Sequence, residues 1–199
     1  TLESDLVEDW MLVHELFHIG SPSYGAKSGW FDEGLATYFE PLIRARAGLT
    51  TDAEVWREMA SEMHRGLAAL TEYGLAKGES RDDIYWGGGL FCFLADVEIR
   101  RRTQGKVGLE DGLRAVLRQG GNSSEVWEFD ETLKAMDEGM GAPVLEELAA
   151  RHVSKGAPVD LPKLFKELGV VRSAGATAVR FDDKAPLAAT RHAIDRGRP

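Results

Sequence analysis

His14-Glu15-Leu16-Phe17-His18, followed after a short loop by Trp30-Phe31-Asp32-Glu33-Gly34-Leu35-Ala36-Thr37-Tyr38-Phe39-Glu40, decides the reading of this chain. Around the first block, Leu6, Trp10, Val13 and Phe17 recur at helical spacing, so a helix from about Leu2 to Ile19 is expected. Gly20, Ser21 and Pro22 stop it, as glycine and then proline do past a helix end. Residues four apart share a helix face, so His14 and His18 can reach one ion, and Glu15 can face a water on that ion. Zinc suits such a site, because it keeps a coordination position for water and lowers that water's pKa to about 7. Two unrelated solvated histidines would explain the pair alone, but not the glutamate set between them.

A zinc site of this kind needs a third ligand, either a carboxylate oxygen or another imidazole. Glu33 is the best candidate and Asp32 its main rival. The Gly20-Ser21-Pro22 turn lets a second helix, from about Phe31 to Ala47, fold back on the first. Trp30, Phe31, Leu35 and Phe39 would bury that contact, and a carboxylate among them is costly unless paired or metal-bound. Thr37 and Glu40 follow Glu33 at helical spacing and share its face. Either can accept the second N–H of a ligand histidine and so fix its orientation. His64, His152 and His192 lack ligand spacing and read as ordinary histidines.

The remainder is punctuated as helices. Thr51-Asp52-Ala53-Glu54 has the form of a capping box and opens a third helix toward Leu75. A charged loop, Lys77 to Asp83, precedes a fourth helix from about Tyr85 to Thr103. Shorter helices are expected at Leu109–Gln119, Glu128–Glu138, Ala142–Ser154 and Leu161–Leu168. Thr177 to Phe181 reads as a short strand, and the polar, charged residues after it as a loose end. Gly87, Gly88 and Gly89 permit close backbone approach, which serves either helix packing or room for a substrate. The fold class expected is therefore mainly α.

Composition narrows the function classes. A chain of 199 residues with 43% hydrophobic content suits one globular domain. A formal charge of −9 argues against nucleic acid or an anionic membrane as partner. Arg100-Arg101-Arg102 reads as a solvated helix end favoured by the helix dipole. Cys92 is the only cysteine, which excludes an internal disulfide and a thiolate zinc cluster; its apolar neighbours mark it as a buried hydrophobe. No apolar run reaches the roughly 20 residues needed to span a bilayer. Because Thr1 lies almost inside the first expected helix, the chain reads as a domain cut from a longer precursor. Oligomeric state and compartment are not legible.

His14-Glu15-x-x-His18 followed by Asp32-Glu33-Gly34-Leu35-Ala36-Thr37-Tyr38-Phe39-Glu40 resembles the gluzincin metallopeptidases, in particular the aminopeptidase N-like and glycyl aminopeptidase families. The stretch Tyr85-Trp86-Gly87-Gly88-Gly89-Leu90-Phe91, running on through Asp96, Ile99-Arg100 and Leu109-Glu110-Asp111, is similar to a later block of those families. The resemblance implies a thermolysin-like helical catalytic domain over residues 1–171, followed by a tail, 172–199. It implies zinc on His14, His18 and Glu33, with Glu15 as general base. It also selects Tyr85, among Tyr24, Tyr38, Tyr73 and Tyr85, as hydrogen-bond donor to the developing oxyanion.

Two departures stand out. The loop before Glu33 is shorter, with Asp32 where the aminopeptidase N-like family has Asn. The upstream sheet, with its Gly-rich exopeptidase motif, is also absent. The expected function is zinc-dependent peptide-bond hydrolysis by a zinc-bound water and Glu15, acting on a peptide or protein substrate in endo- or exo-mode. The alternative is a zinc-containing peptide- or protein-binding module without turnover.

Overall fold

Helix α1 (Trp10–Ile19) carries the first motif and ends at Gly20, whose N–H bonds the Phe17 carbonyl at 3.0 Å. The computed structural model describes residues 10–25, 27–172 and 178–197. The part of the first expected helix before Trp10 lies outside them. Helix α2 (Gly29–Arg46) starts two residues before the expected Phe31 and buries Trp30, Phe31, Leu35, Tyr38 and Phe39. These apolar positions turn α2 back onto α1 on one side and onto α4 (Gly88–Thr103) on the other.

The α2–α4 crossing explains the glycine run. A Cβ on Gly88 would lie 2.0 Å from the Trp30 carbonyl oxygen, and one on Gly34 would lie 2.3 Å from the Gly88 backbone. Close backbone packing is thus what Gly88 provides.

Helix α3 (Asp52–Glu62) opens on the expected capping box: Thr51 accepts from the Glu54 N–H at 3.2 Å, and Glu54 accepts from the Thr51 N–H at 3.2 Å. It does not run on to Leu75. Tight 3₁₀ turns at Met63–Gly66 and Leu75–Lys77 flank a wide π turn at Ala69–Tyr73, and a second π turn, Asp83–Gly87, leads into α4. The cause is local. Gly66 lies against the Gly87 backbone, where a Cβ would come within 2.1 Å, and Gly74 takes a φ of +94°.

Helices α5 (Leu109–Arg118), α6 (Phe129–Met140), α7 (Leu145–His152) and α8 (Leu161–Glu167) fall within a few residues of expectation. Strand β2 (Val179–Phe181) pairs antiparallel with β1 (Val170–Arg172), a partner the sequence did not announce; Thr177, where the expected strand began, is outside the described residues. The expected loose end is instead helix α9 (Ala188–Arg196), packed on α2 and α4. Ile194 is fully buried there, and Arg191 reaches the Leu168 carbonyl at 3.0 Å.

The arginine run also needs correcting. Arg101 and Arg102 pair at the surface with Glu98, but Arg100 is buried, bonded to Asp96 at 2.9 Å and to Glu110 at 2.6 Å. Tyr38 donates to the other Asp96 oxygen at 2.7 Å, so the network ties α2, α4 and α5 together. Its buried charges are tolerated because each is paired and hydrogen-bonded. Among the described residues, no helix is long and apolar enough to cross a membrane.

Candidate metal centre

One turn of α1 places His14 and His18 on the face turned toward the start of α2, where Asp32 and Glu33 occupy the first turns. Both imidazoles direct Nε2 at one carboxylate oxygen. Glu33 Oε2 lies 3.0 Å from His14 Nε2 and 3.7 Å from His18 Nε2. One potential ligand atom from each of the three residues lies within 4.8 Å of the others. His14 is buried, while His18 and Glu33 keep partial exposure, which gives the cluster one closed and one open side.

Asp32 does not compete for that point. Its Oδ1 lies 3.0 Å from His18 Nδ1, the ring nitrogen on the far side from Glu33. It lies where an acceptor orienting His18 would sit, a place the sequence suggested for Thr37 or Glu40. The Glu40 carboxylate accepts instead from Arg44 at 3.2 Å, and the Thr37 hydroxyl is buried with no hydrogen-bond partner among the described residues. Both still line the space beside His14. An acceptor behind a ligand imidazole fixes its tautomer and raises its basicity. If the three residues hold zinc, Asp32→Asn is expected to weaken its binding by about 10–100-fold, measured by competition with a chelating indicator. Unchanged affinity would remove Asp32 from this role.

The four tyrosines separate by position. Tyr24 bonds Ser21 at 2.9 Å, Tyr38 bonds Asp96 and Tyr73 bonds Asp83 at 2.5 Å. Tyr85 alone stacks on a histidine of the cluster, its ring 5.8 Å from that of His14 and inclined by 22°. The π turn Asp83–Gly87 presents it, and Asp83 anchors that turn by accepting from Tyr73 and from the Ser80 N–H. Widened turns of this kind are common at functional sites. Glu15, on the same α1 turn as His14, is exposed.

The electrostatics favour a positive charge at the cluster. Hydrogen bonds to Asp32, then to Glu33, push the His18 pKa up to about 10. Contacts with His14, then His18, hold Glu33 down to about 2. Burial first, and then the charge of Glu33, raises the Tyr85 pKa, which keeps its hydroxyl protonated as a donor.

A cavity of about 370 Å³ adjoins the cluster, with His14, Tyr85, Trp10, Trp86, Thr37 and Glu40 in its walls. Trp10 and Trp86 were not singled out by sequence reasoning. Trp10 precedes His14 by one helical turn and Trp86 follows Tyr85, so proximity to the motif residues was the available signal. His152 is buried with Nδ1 2.9 Å from the Leu70 carbonyl, His64 and His192 are exposed, and none of the three belongs to the cluster. No family model, curated protein or solved structure matches the chain.

Proposed function

We propose that this chain is a zinc-dependent peptide hydrolase with a thermolysin-like catalytic core. The observation that carries the reading is the convergence of two Nε2 atoms on one Glu33 oxygen, with Asp32 behind His18. The donor set fits zinc by a simple measure. Tetrahedral bonds of about 2.1 Å set ligand atoms roughly 3.4 Å apart, and the two nitrogen–oxygen distances, 3.0 and 3.7 Å, bracket that spacing. When bound, zinc supplies Lewis acidity to the substrate carbonyl and to the attacking water.

The chain's own residues supply the rest. Glu15 takes the proton from the attacking water and hands it to the leaving amine. The Tyr85 hydroxyl donates a hydrogen bond to the carbonyl oxygen as negative charge develops there. Asp32 keeps His18 turned toward Glu33. Trp10, Trp86 and the rest of the cavity hold part of the substrate beside these groups.

A mixed peptide library tests the reading. Cleavage is expected with the untreated protein, lost after dialysis against a chelator, and restored by zinc but not magnesium. Cleavage that persists after complete removal of metal would overturn it.

A further inference from the structure

We propose that the cavity beside His14 is a side-chain subsite that selects lysine or arginine in the substrate, with the Glu58 carboxylate as the group that meets the cation; this rests on the peptidase reading above. At about 370 Å³ the cavity lies within the common range for small-ligand sites, about 300–1,000 Å³. Three of its charged wall residues are held in ion pairs, which leaves an exposed arginine and one half-buried carboxylate. Glu40 is held by Arg44 at 3.2 Å, and Arg65 by Asp82 at 2.6 Å. Arg81 is exposed and lies over the Tyr85 ring, its guanidinium carbon 5.2 Å from the centroid. Glu58 remains, on α3, its carboxylate making no hydrogen bond or ion pair among the described residues.

A partly buried, unpaired carboxylate is costly, and burial indeed raises the Glu58 pKa. A substrate cation offers Glu58 the donor it lacks, since ammonium and guanidinium groups are donors only. The aliphatic stem of lysine or arginine suits the tryptophan faces, and Trp86 already carries a guanidinium, Arg65, 5.8 Å from its ring centre.

The test compares peptides identical except at one position, which holds lysine, arginine, norleucine or glutamate. The ratio of kcat/KM for lysine over norleucine is expected to be about 10–100, the worth of one charge-assisted hydrogen bond. In Glu58→Gln the ratio should fall to near one, while Glu58→Asp should retain part of it. Equal rates for lysine and norleucine in the unaltered protein, or a ratio unmoved in Glu58→Gln, would overturn the proposal. If no peptide is cleaved, the peptidase reading fails, and the subsite is judged by agmatine binding followed through tryptophan fluorescence. Saturable binding lost in Glu58→Gln upholds the subsite, and no saturable binding rejects it.

Discussion

Glu15→Gln is expected to keep its zinc and lose peptide hydrolysis by about 10²–10⁴-fold, the usual contribution of a positioned general acid–base group. Glutamine preserves the shape of glutamate but cannot take the water's proton. Glu15 is not part of the three-residue cluster, so metal content should not change. Its place beside His14 on α1 sets it next to the cluster, and its charge is felt at Tyr85. Peptide-cleavage rates and zinc content measured on one preparation separate the two effects. Activity above about 5% of the unaltered protein would exclude Glu15 as the base, since even the low end of general-base catalysis is about 100-fold. A zinc-holding module without turnover would show no hydrolysis in either protein.

Tyr85→Phe should reduce kcat by about 10²–10³-fold, the cost of losing one oxyanion donor. KM should move far less, because the hydrogen bond is made mainly in the transition state. Phenylalanine keeps the ring that stacks on His14 and lies under Arg81, so fold and zinc site should persist. Steady-state kinetics with one cleavable peptide decide the matter. An unchanged kcat would return Tyr85 to a packing role.

What the sequence made legible is what depends on local geometry. His14 and His18 share a helix face by spacing alone, and the apolar residues around Glu33 required α2 to return to α1. Asp32 was harder to assign. Its contact with His18 Nδ1 depends on how the loop rotates α2, and only that rotation lets adjacent carboxylates take opposite sides of one imidazole. Thr37 and Glu40, expected on the helical face of Glu33, line the space beside His14, but Arg44 takes the Glu40 carboxylate, and the Thr37 hydroxyl has no partner among the described residues.

Tyr85 could be chosen only by resemblance. Its position follows from a π turn, and hydrophobic periodicity does not distinguish that turn from the start of an α-helix. The breaks after Glu62 were hidden for the same reason. In α9 and at Arg100, charged residues are buried through pairing, so polarity misled where burial was satisfied by ion pairs and carbonyl contacts.

The most direct test of the central claim is metal analysis of the protein purified without chelator, beside His18→Ala prepared in the same way. The unaltered protein should carry close to one zinc per chain, and the variant, deprived of one of three ligands, should lose most of it. Full zinc retention in His18→Ala would contradict the assignment of the metal to His14, His18 and Glu33.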